Sequence, residues 1–266
     1  MLKRFLTALV LAAIGIPATI YGGIYFWLMM AFFLTVAAWE YVNLMRGADF
    51  QPAMMITVGG VLVILFTRTT YPAYESAVLT AFIFLAMAYH LVAFERGRDK
   101  AAGDFAITVA GLIYMGWIGS YLVKLRELPN GVWWFFLIFP IIWLADSGAY
   151  FIGKNFGKHK LSPRLSPRKT WEGYWGGVFF GVLGSVLFAW LWRDNLPISL
   201  LDGVLFGLVL SLLTTLGDLG ESMIKRQSGI KDSSHILPGH GGIFDRIDSW
   251  IWAAPLGYYL IVWFFL

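Results

Sequence analysis

Long apolar runs separated by short polar segments constrain this chain more than any other feature. Hydrophobic residues make up 59% of the 266 positions, and charged residues only 14%. A membrane-spanning helix needs about 20 apolar residues to cross roughly 30 Å of hydrocarbon. Because a span must satisfy its own backbone hydrogen bonds, long apolar runs favour helices. We therefore expect an all-α, polytopic integral membrane bundle.

The hydropathy pattern predicts about nine transmembrane helices. The predicted spans are 5–20, 24–44, 54–66, 76–94, 105–123, 132–151, 174–192, 201–219 and 250–266. These spans leave no room for a large soluble domain. We expect a single integral membrane domain over residues 1–266, with mainly membrane helices in 1–125 and the polar motifs of a catalytic half in 126–266.

Lysine and arginine are distributed unevenly over the predicted loops. If the amino terminus is cytoplasmic, most of the 20 basic residues, including Lys3 and Arg4, fall on the cytoplasmic side. The exceptions are Arg68, Lys124, Arg126 and Arg193. The positive-inside rule favours this orientation. It places both long polar segments, 153–173 and 222–248, at the cytoplasmic face of the plasma membrane, where nucleotides are available.

Charge and cysteine content exclude several classes of function. The isoelectric point is about 9.2, but the basic residues lie in loops beside spans, so anionic lipid is a better partner than nucleic acid. The chain has no cysteine, which excludes disulfides, thiolate metal sites and cysteine nucleophiles. The zinc-protease motif H-E-x-x-H is absent. Zinc hydrolysis is therefore not expected.

Carboxylates occur where the eighth predicted span meets the second polar segment. Asp218, Glu221 and Lys225 share one face of a helix. We expect Glu221 to pair with Lys225. Asp218 lies deeper between apolar residues, where a carboxylate needs a strong partner such as a cation.

The end of the same polar segment combines carboxylates, glycines and cations. Asp245 and Asp248 directly precede the last apolar run, where a helix dipole favours negative charge. The loop before them lets backbone N–H groups approach an anion; its residues are Gly239, His240, Gly241 and Gly242. The cations that could neutralise phosphate oxygens are Lys225, Arg226, Lys231 and Arg246. Carboxylates that hold Mg²⁺ beside such cations indicate phosphoryl or nucleotidyl transfer.

The first polar segment follows the sixth predicted span, which we expect to end near Asp146 and Ser147. Its small residues and cations suit a phosphate or nucleotide pocket, although the P-loop pattern is absent. The candidate residues are Asp146, Ser166, Arg168 and Lys169.

The second polar segment reads SMIKRQSGIKDSSHILPGHGGIFDRID. The order and spacing of these residues resemble the signature of the phosphatidate cytidylyltransferases. The resemblance extends to the stretches DSGAY and SPRKTWEG and to the polytopic layout. It implies transfer of CMP from CTP to phosphatidic acid, with formation of CDP-diacylglycerol and release of pyrophosphate. No protein nucleophile is needed, because the lipid phosphate attacks the α-phosphorus of CTP.

The resemblance also implies roles for individual residues. The implied metal ligands are Asp218, Asp245 and Asp248, and the expected cofactor is Mg²⁺ with room for a second cation. The implied catalytic residues are Asp218, Asp245, Lys225, Arg246 and His240. The implied substrate contacts are Arg226, Lys231, Asp232, Gly239, Gly241, Gly242, Asp146, Ser166, Arg168 and Lys169. The expected partners are the substrates CTP and phosphatidic acid and the membrane lipids. A homodimer is a further expectation, and nucleic acid is not an expected partner.

Two other functions stay open on the sequence alone. A CTP-dependent lipid kinase would use similar residues and is hard to exclude. A transporter of an anionic substrate would also have many spans, but the charges concentrate at one face and no inverted repeat is evident.

Overall fold

The computed structural model describes residues 2–266, with side chains from Leu6 onward. The side chains of Lys3 and Arg4, on which part of the orientation argument rests, lie outside the described residues. The described chain is helical apart from loops and one two-stranded hairpin. The prediction of a polytopic helical membrane protein is confirmed.

The chain divides into two compact units. The first comprises the chain up to Lys124 together with Ile224–Ile247, and the second comprises Leu125–Met223 and Asp248–Leu266. The single domain expected over residues 1–266 stays a prediction.

The first unit contains helices of the amino-terminal half. They are α1 (Leu2–Tyr21), α2 (Gly23–Gly47), α3 (Met54–Thr70), a 3-10 turn (Pro72–Tyr74), α4 (Glu75–Glu95), α5 (Ala101–Gly111), a π-helical stretch (Leu112–Ile118) and α6 (Tyr121–Glu127), whose last residues belong to the second unit. Helix α2 packs against α1 and α3, and α3 also packs against α4 and the π-helical stretch. The fully buried side chains of Leu34, Ile64 and Leu112 lie in this core.

The second unit contains the remaining elements. They are α7 (Gly131–Phe156), β1 (Lys160–Ser162), β2 (Ser166–Thr170), α8 (Trp171–Leu191), α9 (Leu200–Leu213), α10 (Thr215–Gln227) and α11 (Phe244–Phe264). Helix α10 begins in this unit and ends in the first, whereas α11 begins in the first and ends here.

Glycines allow α7, α8 and α9 to approach closely. A Cβ atom on Gly177 would lie 2.8 Å from the carbonyl oxygen of Ala145, and one on Gly207 would lie 2.5 Å from the Cα atom of Val182. Small residues at membrane-helix contacts let the backbones approach, because packing rather than water exclusion drives helix association in lipid. These three helices form the frame for the polar residues at one end of the unit.

Each predicted span coincides with helical structure. Six helical segments of the described chain are long and apolar enough to cross a membrane: Gly23–Gly47, Pro72–Glu95, Ala101–Glu127, Gly131–Phe156, Trp171–Leu191 and Leu200–Gln227. Two shorter apolar helices, Leu6–Tyr21 and Met54–Thr70, cover the first and third predicted spans. The last predicted span lies in α11, which is not among these eight, so the count of nine stays a prediction.

Two local expectations differ from the structure. Helix α7 continues to Phe156, so Asp146 lies well inside the helix rather than at its end. The following segment forms the antiparallel hairpin of β1 and β2, with Lys160 opposite Thr170. Pro163 and Pro167 explain this conformation, because proline removes a backbone donor and favours extended structure in the residue before it.

Candidate active site

Three carboxylates converge in the second unit. Asp218 and Glu221 come from α10 and Asp248 from α11, and one oxygen of each lies within 4.8 Å of the others. Glu221 is buried, whereas Asp218 and Asp248 are partly exposed. Unscreened carboxylates at such separations repel each other, and oxygen ligands of this kind suit a hard divalent cation. This carboxylate cluster therefore fits a Mg²⁺ site.

The local sequence explains why the carboxylates meet. Asp218 and Glu221 are three residues apart and lie on one face of α10. Gly217 has no side chain, and a Cβ atom there would lie 2.7 Å from the backbone oxygen of Asp248 and 2.8 Å from Cδ1 of Trp252. Gly217 thus permits α10 to approach α11 closely at Asp248.

A cation from the hairpin reaches the carboxylate cluster. The ammonium group of Lys169 forms an ion pair with Oδ2 of Asp218, and the Ser222 hydroxyl donates to Oδ1 of Asp218 at 3.4 Å. Thr170 follows Lys169 and caps α8, since its Oγ1 accepts the Gly173 N–H at 3.2 Å. The cap fixes the end of the hairpin that carries Lys169.

A cavity of about 580 Å³ adjoins Asp218 within the second unit. It lies among residues from α7, the hairpin, α8 and α10. Its charged lining residues are Asp146, Lys154, Lys160, Arg168, Lys169 and Asp218. Tyr150 and Tyr174 also line it. A cavity of this size with four cations suits a phosphate-bearing substrate.

Asp245 lies in the first unit, where its side chain binds the segment from Ser233 to Phe244, called here the glycine-rich loop. Its Oδ1 accepts a hydrogen bond from Lys225 at 2.6 Å. Its Oδ2 accepts from the backbone N–H groups of Gly242 at 2.7 Å and Ser233 at 2.9 Å. Gly241 has a φ of 81°, and a Cβ atom there would lie 2.6 Å from Oδ2 of Asp245. The loop therefore requires glycine at this position.

The same loop lines a second cavity, of about 600 Å³, within the first unit. Its charged or ionisable lining residues are Lys231, Asp232, His235, His240 and Arg246. Nδ1 of His240 is buried and has no hydrogen-bond partner among the described residues. Gly239 also lines the cavity and adopts a φ of 76°.

The structure thus brings the predicted residues together in two groups. Asp146, Arg168 and Lys169 line one cavity with Asp218. Ser166, by contrast, lies on β2 opposite Ser162 and does not line that cavity. The second group, in the first unit, contains Lys225, Arg226, Lys231, Asp232, Gly239, His240, Gly241, Gly242, Asp245 and Arg246.

Several residues of the site are not among the candidates predicted from the sequence. Glu221 is not predicted as a metal ligand, but it belongs to the carboxylate cluster; its expected pairing with Lys225 stays a prediction. Its three-residue spacing from Asp218 was the available signal. Lys154 and Lys160 lie in the polar segment and are not among the predicted candidates, although both line the cavity beside Asp218.

Comparisons with known proteins show the family to which the chain belongs. Residues 2–264 match the model of the cytidylyltransferase family. A phosphatidate cytidylyltransferase of Synechocystis sp. is 35% identical, over 98% of this chain and 96% of the relative. One of Pseudomonas aeruginosa is 37% identical, over 96% of this chain and 94% of the relative. One of Bacillus subtilis is 38% identical over 59% of this chain and 58% of the relative. The chain belongs to the cytidylyltransferase family.

Proposed function

We propose that this membrane protein is a phosphatidate cytidylyltransferase, which transfers CMP from CTP to phosphatidic acid and forms CDP-diacylglycerol and pyrophosphate. The observation that carries the proposal is the carboxylate cluster beside Lys169, in a chain similar over nearly its full length to proteins of that name. The reaction serves phospholipid biosynthesis. The residues supply charge and position rather than a covalent nucleophile.

In the proposed reaction, a phosphate oxygen of phosphatidic acid attacks the α-phosphorus of CTP. The new P–O bond forms as the bond to pyrophosphate breaks, so the two products together contain all the atoms of the two substrates. Both substrates are anionic, and the cations of the cavity beside Asp218 lower their mutual repulsion. These cations are Lys154, Lys160, Arg168 and Lys169.

We propose that Asp218, Glu221 and Asp248 hold Mg²⁺. When bound, the ion would neutralise charge on the phosphoryl oxygens and on the departing pyrophosphate. Lys169 already contacts Asp218, so the same carboxylate that would bind the metal also orients a cation for phosphate. Oxygen ligation alone does not fix the number of ions, and a second cation stays a prediction.

Asp245 stays a predicted metal ligand. Its oxygens accept hydrogen bonds from Lys225, Ser233 and Gly242, which supports a role in shaping the glycine-rich loop as well. Lys231, His240 and Arg246 stay predicted phosphate contacts because they line one cavity. Arg226 also stays a predicted phosphate contact; its guanidinium group donates to the Ile230 carbonyl at 3.2 Å.

We further propose that the protein lies in the plasma membrane with its active site on the cytoplasmic face. The uneven distribution of lysine and arginine supports this orientation, and it gives a soluble nucleotide access to a membrane lipid. A homodimer also stays a prediction, which the mass of the detergent-solubilised protein would test.

The decisive assay uses CTP labelled at either the α- or the γ-phosphate. Purified protein in detergent is incubated with each nucleotide, phosphatidic acid and Mg²⁺, and the lipid extract is counted. Cytidylyl transfer puts the α-label into lipid and releases the γ-label as pyrophosphate. A lipid kinase would instead put the γ-label into lipid, which would refute the proposal.

A matched pair of variants tests the assignment of the site in that assay. Asp248→Asn removes a carboxylate of the cluster and should abolish most transfer. Asp194→Asn removes an exposed carboxylate that is 89% accessible and should leave transfer unchanged. Equal activity of both variants would exclude Asp248 from the catalytic machinery.

A further inference from the structure

Glu40 is a carboxylate in the middle of an apolar helix. It lies on α2 and is 0% exposed. Burial of a charge is costly unless hydrogen bonds replace the lost water, and charges within membrane helices therefore mark functional positions. The hydrogen bonds of Glu40 therefore indicate its role.

Four donors from the glycine-rich loop and the start of α11 surround this carboxylate. Its Oε1 accepts from the Ser234 hydroxyl at 2.5 Å and from the Ile243 N–H at 3.0 Å. Its Oε2 accepts from the Phe244 N–H at 2.7 Å, and the Ser233 hydroxyl lies 3.1 Å away. The two N–H groups stand where α11 begins, and a helix N-terminus favours negative charge.

The loop is therefore held by two carboxylates at once. Ser233 touches both, since its hydroxyl also lies 2.9 Å from Oδ2 of Asp245. Gly242 lies between them, and a Cβ atom there would overlap the Ser233 hydroxyl and both oxygens of Glu40. Glu40 thus fixes the backbone of the loop that carries His240 and directly follows Lys231 and Asp232.

We infer that Glu40 is a positioning residue: it fixes the loop from Ser233 to Phe244 so that the loop's N–H groups and the flanking cations, Lys231 and Arg246, can bind the triphosphate of CTP. The inference rests on the proposed function. Glu40 itself lies beneath the loop and acts through it, so it is not a catalytic residue. Loss of the Glu40 carboxylate should weaken the binding of CTP more than the binding of phosphatidic acid.

The test compares Glu40→Gln with Asp104→Asn. Asp104 is likewise 0% exposed and accepts a backbone N–H, that of Gln51, at 2.7 Å, so it controls for the general effect of neutralising a buried carboxylate in the same unit. Ser234→Ala is a milder variant that removes one donor to Glu40 and keeps the carboxylate. If Glu40→Gln does not fold, Ser234→Ala tests whether loss of a hydrogen bond to Glu40 loosens the loop.

Hydrogen exchange followed by mass spectrometry gives a readout that does not depend on activity. In Glu40→Gln the peptides covering Ser233 to Phe244 should exchange about tenfold faster or more, because loss of a charged buried acceptor opens this loop. Asp104→Asn should accelerate exchange around Gln51 and leave the loop unchanged. Ser234→Ala should accelerate the loop to a smaller extent.

Kinetics supply the second readout. Glu40→Gln should raise the KM for CTP about tenfold or more while the KM for phosphatidic acid changes by less than about twofold. Unchanged loop exchange, or an unchanged KM for CTP, would overturn the inference, as would the same changes in Asp104→Asn. If the parent protein transfers no CMP, the proposed function fails, and the exchange measurement still decides whether Glu40 positions the loop.

Discussion

Glu221 shows how one residue changes the expected chemistry of the cluster. It is 1% exposed and lies with Asp218 and Asp248. The sequence assigns it a pairing with Lys225, which stays a prediction, whereas its place in the cluster gives it two carboxylate neighbours. A buried carboxylate beside two others is stabilised by a shared cation. Glu221 therefore becomes a candidate ligand.

Glu221→Gln should weaken activation by Mg²⁺. Loss of one charged oxygen ligand should raise the Mg²⁺ concentration for half-maximal transfer about tenfold or more. Glu95→Gln, at an exposed position at the end of α4, provides the control and should behave as the parent does. Titration of transfer rate with Mg²⁺ measures the shift. A parent-like titration curve for Glu221→Gln would show that Glu221 does not bind the metal.

The sequence predicts which residues are polar in an apolar setting, but not how they pair. Asp218, Asp248 and Lys169 stand out because charges beside a membrane demand partners, and the structure places Lys169 against Asp218. The partners of Glu40 are more than 190 residues away in the chain, so no local pattern could reveal them. Tertiary packing alone supplies that information.

At the scale of elements, the approach of α10 to α11 brings Asp248 to the residues of α10. Gly217 lies at this approach, against Asp248 and Trp252. Gly220 lies on the same helix, and a Cβ atom there would meet nothing within 4 Å. Two glycines of one helix thus differ in function: only Gly217 is required by packing.

This difference predicts opposite effects of one substitution. Gly217→Ala should destabilise the protein by about 1–3 kcal/mol through overpacking and should reduce transfer by displacing Asp248. Gly220→Ala should be neutral or stabilise by up to about 1 kcal/mol, because alanine favours helix. Thermal unfolding in detergent and the transfer assay measure both effects. Equal behaviour of the two variants would mean that close packing at Gly217 does not place Asp248.

The sequence predicts helices more securely than the irregular elements between them. Hydropathy locates the helical segments because each must present an apolar surface over its whole length. The hairpin of β1 and β2 has no such signal, since its strands have three and five residues. The sequence shows its cations, but the position of Lys169 beside Asp218 depends on the turn and on the cap at Thr170.

At the scale of the whole molecule, the proposed orientation in the membrane rests on loop charges. Helix α8 separates a basic hairpin from the loop that contains Arg193. Its 21 residues span about 30 Å, enough to cross the hydrocarbon core. Asn155 lies at the end of α7 before the hairpin, and Asn195 lies beyond the other end of α8; both are exposed. Neither carries a charge that would influence insertion.

The two positions therefore make a charge-neutral test of topology. Because the chain has no cysteine, Asn155→Cys and Asn195→Cys each introduce a unique thiol. With the proposed orientation, a membrane-impermeant maleimide added to intact cells that lack an outer barrier should label Cys at 195 and not at 155. Both should react after the membrane is opened, which controls for access to the thiol. Labelling of 155 alone in intact cells would reverse the orientation, and it would place the carboxylate cluster on the side where CTP is absent.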